Sequence, residues 1–450
     1  MRRHVIIGRF GSKDKVPIPT ANDEYETFFP LVTGNNKSLN FGIAEIISNL
    51  KNLKVFPSET AVDLLVLAAH VYAADTRISR SEESQDTWTR EIRMVVPVSD
   101  PIIWNNAKLE LVRLLNFLTG DQWTIGFRSR PTEFSILIKK AEEELFACPF
   151  TGVSLFSGGL DSLIGSIDTL ESGRVPLLVS HAGDGATSKA QEICFKKLKE
   201  KYKHVPFDRL RFWLNIPSEV FKDIRSEDTT RGRSFLFFSL GVLAGTGINQ
   251  PFILEVPENG LIALNVPLDP LRLGSLSTRT THPFYMNCWN ELLQTLGING
   301  KLENPYWNET KGEMVNGCVN GNLLREMLPL SLSCSSPTKG RWKGRSTEHC
   351  GYCLPCLIRR ASLKNDPTPY TLKNLNSQML NSLLSEGQQV RSFQIAIKRL
   401  EENPALAKIL IYKAGPLSHD PKVVTELAEV YKRGMAEVGR LLSRVKTKPQ

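Results

Sequence analysis

No apolar run in this 450-residue chain reaches the roughly 18 residues that a membrane-spanning helix needs. The longest, Leu64–Ala74 and Phe235–Ile248, are broken by His70 and by Ser239 and glycines. The opening Met1–Gly8 carries Arg2, Arg3 and His4 but no signal-peptide core, so the expectation is a cytoplasmic protein with no membrane contact. Internal repeats and low-complexity stretches are absent. So is the Gly-x-x-x-x-Gly-Lys-Ser/Thr phosphate loop of kinases and GTPases. Cysteine is scarce, eight in all, and in a cytoplasmic chain these are not expected to form disulfides. What remains is ordinary: 41% hydrophobic and 23% charged residues suit a globular protein of two or three domains. The net charge of +9 admits a nucleic-acid partner, but it equally suits an enzyme that handles ATP.

Half of the cysteines are concentrated in one place. Cys148, Cys194, Cys288 and Cys318 are scattered and read as small buried hydrophobes. Cys350, Cys353 and Cys356 stand three apart, with Cys334 fifteen intervening residues upstream across a stretch rich in Lys, Arg, Gly and Ser. Four thiolates complete the tetrahedral shell of Zn²⁺ and leave no open position, so the expected role is structural. His349 is the alternative fourth ligand, although it would crowd Cys350 on one ion. A redox pair is the other reading of Cys350-x-x-Cys353, and the third cysteine at the same spacing favours metal.

The element pattern divides the chain. Residues 1–135 read as an α+β module with its own core: a strand at His4–Phe10, a helix from Ser58 to Ala74 capped by Ser58, a strand at Trp88–Val98, a helix at Pro101–Leu118 and a strand at Gln122–Arg128. Asp86, Trp88, Arg90, Asp121 and Trp123 read as packing residues at its edge. Residues 136–333 alternate strands (Val153–Phe156, Pro176–Ser180, Arg209–Leu214, Phe252–Val256) with helices (Ser162–Glu171, Ser188–Tyr202, Gly232–Gly245), which predicts an α/β fold with a doubly wound parallel sheet. Such sheets hold ligands at the carboxyl ends of their strands. Residues 334–370 form the zinc-binding lobe, and residues 371–450 are helical, with patterns at Val390–Leu400 and Val423–Val445.

The chemistry concentrates where the first of those strands ends. Phe156-Ser157-Gly158-Gly159-Leu160-Asp161-Ser162 joins an apolar strand to an amphipathic helix through two glycines. Main-chain N–H groups at such a turn, with the helix dipole behind them, favour an anion, and glycine lets the backbone approach it closely. An ordinary glycine turn is the bland alternative. The string Ser-Gly-Gly-Leu-Asp-Ser resembles that of the PP-loop ATP pyrophosphatases, which belong to the HUP-like (adenine nucleotide alpha hydrolase-like) α/β group. That resemblance implies cleavage of ATP between its α and β phosphates, transfer of AMP to a substrate oxygen and retention of pyrophosphate in this loop.

Three further stretches fall at expected strand ends. His181–Ser188 either closes over an adenosine or is a plain loop. In Thr230-Arg231-Gly232-Arg233-Ser234 an arginine at a helix mouth either grips phosphate or pairs with a surface carboxylate, and Arg233 is the stronger candidate. Glu258 and Asn259, together with Arg279, Thr280, Thr281 and His282 in the stretch Leu276–Pro283, are the candidate substrate site: polar groups for a flat heterocycle and an arginine for a carboxylate.

Taken with Gly-Arg-Ser-Phe-Leu-Phe-Phe-Ser-Leu from Gly232 and the cysteine string ending at Arg359, about half of the chain resembles the 7-cyano-7-deazaguanine synthases (QueC). The resemblance implies that Ser157, Gly158, Gly159, Asp161 and Ser162 hold ATP phosphates with Mg²⁺ alongside, flanked by Phe156, Leu160, His181 and Arg233. Asp161, Ser157 and Arg233 are then the catalytic candidates. It also implies zinc on Cys334, Cys350, Cys353 and Cys356, and adenylation of a 7-carboxy-7-deazaguanine-like carboxylate that an amine then captures. The chain departs from that family in its extra N-terminal region, in Arg233-Ser234 where Arg-Asn is usual, in His181-Ala182-Gly183-Asp184, and in Thr278–Pro283. These departures are similar to the QueC-like components of antiphage defence systems, which implies partner proteins from the same operon and leaves nitrile formation in doubt. A PP-loop tRNA-modifying enzyme and a non-catalytic ATP-binding assembly subunit stay open as alternatives.

Overall fold

The computed structural model describes residues 2–33, 38–138, 148–183, 185–248, 251–269, 279–339 and 347–448. Its first sheet contains β1 (Arg3–Phe10), β2 (Glu24–Val32), β3 (Glu91–Val98) and β4 (Gln122–Ser129), in the order β2-β1-β3-β4. Its second contains β5 (Gly152–Leu155), β6 (Pro176–His181), β7 (Asp208–Phe212), β8 (Phe252–Glu255) and β9 (Gly300–Glu303), in the order β7-β6-β5-β8-β9. Every pairing in both sheets is parallel.

The α+β module expected over residues 1–135 is therefore α/β. β2 is what the sequence reading omits. It carries Pro30 and leaves Phe28 more than half exposed, so neither composition nor alternation marks it as a strand. Both features are tolerated because β2 lies at an edge of its sheet. The single helix expected at Pro101–Leu118 is two, Pro101–Asn106 and Lys108–Thr119, separated at Ala107. The cap at Ser58 is present: its Oγ accepts from the Ala61 N–H at 3.2 Å.

The first 135 residues do not close a core of their own. One buried cluster runs from Ile6 in β1 through Leu65 of the helix Glu59–Arg77 to Phe235, Leu254 and Trp289 beside the second sheet. The helix Arg233–Thr246 is the hinge of this arrangement, because it is apolar almost all round. It packs on the helix Glu59–Arg77 on one side and on β5, β6 and β8 on the other. A Cβ at Gly245 would stand 2.3 Å from the Phe252 ring, so the helix lies on β8 at a distance only glycine permits.

The last region packs the helices Ser385–Glu402 and Pro421–Leu442 into a separate cluster with Leu264 and Leu357. Among the described residues, no helix is long and apolar enough to cross a membrane.

Candidate functional site

The order of the second sheet reverses between β5 and β8, and a cleft of about 440 Å³ opens beyond the carboxyl ends of those two strands. Doubly wound sheets place ligands at this kind of position, because the loops after the two strands diverge there.

The turn after β5 forms one wall. Gly158 has φ of 78°, and a Cβ on it would meet the Gln191 main chain at 2.9 Å, so the turn requires glycine twice over. Gly159 precedes the helix Leu160–Glu171 with no side-chain cap bond of its own, and its N–H donates to Ser157 Oγ at 3.3 Å. The turn is held from outside: the Leu332 N–H donates to the Gly158 carbonyl at 2.8 Å, and the Leu160 N–H donates to Ser333 Oγ at 2.9 Å. Ser157 and Ser162 join hydroxyls at 3.1 Å.

Arg231, Arg233 and Lys311 bring positive charge to the opposite walls. Arg233 donates from Nε to His181 Nδ1 at 3.3 Å and lies against Gly183. Arg231 stacks on Trp88, its guanidinium carbon 3.7 Å from the ring centroid, and burial lowers its pKa to about 10. The N-terminal region thus builds part of this site. Asp75 accepts from the Gly232 N–H at 2.7 Å and fixes the mouth of the helix, while Trp88 aims Arg231. Arg90 and Asp121 are a pair at 2.7 Å that braces Asp75; both serve packing, but fully buried rather than at an edge.

Asp161 meets a different set of partners from those the resemblance implies. Its carboxylate pairs with Lys311 at 2.9 Å and accepts from Asn259 Nδ2 at 2.8 Å. Burial, the largest influence, would raise Asp161, but the Lys311 charge and hydrogen bonds from Glu258, Lys311 and Asn259 together outweigh it and hold the group below the usual carboxylate range. Glu258, at the cleft wall, goes the other way: burial and then the Asp161 charge push it well above its usual value. Sequence reading passes over Lys311 and Ser333. A signal for Lys311 exists, since it opens a helix behind the Thr310 capping box, where a cation opposes the helix dipole and needs a partner. Nothing local marks Ser333.

Of the expected site residues, Ser157, Gly159, Leu160, Asp161, Ser162, Arg233, Glu258, Thr280 and Thr281 line the cleft together. Phe156, His181 and Asn259 are buried behind it, supporting the wall. Arg279 and His282 are directed elsewhere: Arg279 donates to the Phe117 carbonyl at 2.7 Å and lies over its ring. His282 caps the helix Pro283–Thr295 by accepting from the Phe284 N–H at 3.2 Å. Asp184 and Leu276, Ser277 and Thr278 lie outside the described residues.

Burial lowers His282 from its ordinary 6.5 to about 3. Between those values the unfolded chain binds a proton that the folded chain refuses. His282 therefore subtracts about 1.4 kcal/mol of stability per pH unit below about 6.5, and nothing above it. His282→Asn keeps a capping acceptor and removes the titration. Its melting temperature is expected to fall less steeply than wild type between pH 6.5 and 4 in a thermal-melt series.

Beside the cleft, the sulfurs of Cys334, Cys350, Cys353 and Cys356 all lie within 4.8 Å of one another. Two of the separations are 3.8 Å and 3.9 Å, and a tetrahedron of bonds about 2.3 Å long requires about 3.8 Å between sulfurs. The N–H groups of Cys350 and Ser336 point at Cys334 Sγ, and that of Cys353 at Cys350 Sγ, which favours thiolates. The donor set fits Zn²⁺. His349 is not the fourth ligand, because its Nε2 accepts from the Ser333 N–H at 3.0 Å. That bond ties the cysteine cluster to the turn after β5, since Ser333 holds Leu160.

The class these features define is an α/β protein with parallel-only sheets and a four-cysteine site that could hold zinc. Compared with known proteins, the chain matches no family model, and no curated protein matches it.

Proposed function

We propose that the cleft binds ATP and adenylates a carboxylate of the 7-carboxy-7-deazaguanine type, which an amine then captures as an amide. The observation that supports this reading is the coincidence, at the switch point of the sheet, of a glycine turn opening a helix with Arg231 and Arg233 lining the same cleft. In the first step the substrate carboxylate attacks the α-phosphorus and pyrophosphate leaves. In the second the amine attacks the acyl carbon, AMP leaves and the amine loses a proton. The N–H groups at the start of the helix and the Arg233 guanidinium would stabilise charge gathering on the phosphates, which is where most of the rate would originate. Mg²⁺ belongs to this reading as the counter-charge that travels with ATP, since Lys311 already neutralises Asp161. Asp161 is then a positioning residue rather than a ligand. The amine is ammonia or a group on a partner macromolecule. The setting would be bacterial antiphage defence in the cytoplasm, with partner proteins from the same operon.

A sulfur-transferring tRNA enzyme is less well supported. It needs a reactive cysteine, and outside the four-sulfur cluster burial pushes Cys194 and Cys318 up to about 12 and Cys288 up to about 11. An assembly subunit that holds ATP without turning it over is separated by activity. Purified protein is expected to exchange labelled pyrophosphate into ATP only when 7-carboxy-7-deazaguanine is present, and Arg233→Ala to slow that exchange about a hundredfold. Absence of exchange with this acid and with a panel of aromatic carboxylates refutes the enzymatic reading.

A further inference from the structure

A second, larger groove of about 1050 Å³ lies between β2 and the segment Trp213–Lys222 that follows β7. β2 and β7 are each the outer strand of their sheet. Pro30 has no N–H to give, so that side of β2 faces away from β1. Asn40 Nδ2 reaches the Pro30 carbonyl from outside at 2.6 Å. Alternation along the strand then turns the main-chain N–H and C=O of Phe28 and Glu26 outward as well. None of the described residues hydrogen-bonds to that edge between Glu26 and Phe28. An edge of this kind is a template for another extended chain.

The side chains say which chain it suits. Phe28 is 55% exposed and Trp213 58% exposed, and both line the groove. Glu26, Glu45 and Glu219 line it too, against Lys222 among the lining residues and Arg9, which lies over the Phe28 ring at 5.2 Å, so the carboxylates still outnumber the cations. On a chain of net charge +9 this is a local reversal of sign. Carboxylates around an exposed indole recognise Lys or Arg side chains, by charge and by the ring face. The Tyr25 hydroxyl closes one end by donating to the Lys222 carbonyl at 2.8 Å, and Glu26 to Pro30 leaves about five residues at about 3.3 Å each, room for a short strand.

We propose that this groove docks an extended, Lys- or Arg-bearing segment of another polypeptide, which adds as a strand outside β2. The site is independent of the nucleotide reading, although it lies close to that cleft. Phe212, next to Trp213, stacks on His181 at 4.8 Å, and His181 accepts from Arg233.

Fluorescence polarisation with labelled hexapeptides tests it. Lys-Val-Lys-Val-Lys-Val is expected to bind saturably, while Glu-Val-Glu-Val-Glu-Val and an N-methylated-valine version of the first are not. Trp213→Ala, and separately Glu26→Lys with Glu219→Lys, should each weaken the first peptide about tenfold, a loss of about 1.4 kcal/mol. All three side chains are exposed, so unchanged thermal melts will show that the variants fold. Equal binding of the basic and acidic peptides overturns the proposal, as does unchanged affinity in the variants. A concentration-dependent dimer abolished by the same substitutions also overturns it, because the occupant would then be a second copy of this chain.

Discussion

Lys311→Met is expected to destabilise the protein by about 3–5 kcal/mol, the usual cost of removing one partner from a buried ion pair. Lys311 and Asp161 are each almost fully buried, and the ammonium, with hydrogen bonds from Glu258 and Asn259, keeps Asp161 ionised against its burial. Without it, the carboxylate must remain charged in a dry site or take up a proton. Asn259 would then be left donating to a group that has lost its charge. The double variant Asp161→Asn with Lys311→Met removes both charges and should recover most of the loss, because the cost lies in the unpaired charge rather than in the missing contact. Denaturant midpoints of the two variants decide this. If the double variant is as unstable as the single, Lys311 acts through packing instead. The same pair separates stability from chemistry: a refolded double variant that still lacks pyrophosphate exchange would place Lys311 or Asp161 in the proposed reaction as well as in the fold.

Zinc removal should have the second large effect. The protein is expected to purify with one zinc ion per chain, bound by the four clustered cysteines. Structural zinc sites of this kind contribute on the order of 10 kcal/mol to the folding of the segment that carries them. Chelation or Cys356→Ser should therefore unfold the lobe around Cys334–Cys356. The effect should not stop at the lobe, because His349 holds the Ser333 main chain and Ser333 Oγ holds Leu160 at the start of the helix after β5. Limited proteolysis is expected to open the region near Ser333 first, and ATP affinity to fall along with it. Intact ATP binding after stoichiometric zinc loss would show that the cysteine lobe and the turn are mechanically separate.

Much of this fold is legible in the chain itself. The four strands read from residues 153 to 256 all form, within one or two residues of their expected ends: the inner strands β5 and β6 are near-continuously apolar, as buried parallel strands are, and the edge strand β7 alternates arginine with apolar residues. The helix Arg233–Thr246 announces its burial by being apolar on every face. Edge elements are harder. β2 mixes charged, aromatic and proline residues, and β9 is only four residues long, so neither carries a full buried pattern. The same logic governs the site. Residues that share a contiguous string, such as Ser157 to Ser162, are found by their spacing. Residues that reach the cleft from distant segments, such as Lys311 and Ser333, or that hold one of its walls, as Trp88 holds Arg231, have no spacing to betray them. Arg279 and His282 show the converse, since both have suitable chemistry and are directed to other work, one over Phe117 and one capping a helix.

By itself, then, the amino-acid order determined the parallel α/β core, the glycine turn that opens a helix, and the four cysteines close enough in number and spacing for one metal ion. These are local properties, set by periodicity, by backbone freedom and by ligand type. Tertiary structure alone decided that the N-terminal region shares its core with the second sheet, that Trp88 and Asp75 shape the mouth of the cleft, and that Asp161 is paired with Lys311. Those outcomes depend on which surfaces meet after the chain has closed, and burial changes what a charge can do only once its neighbours are in place.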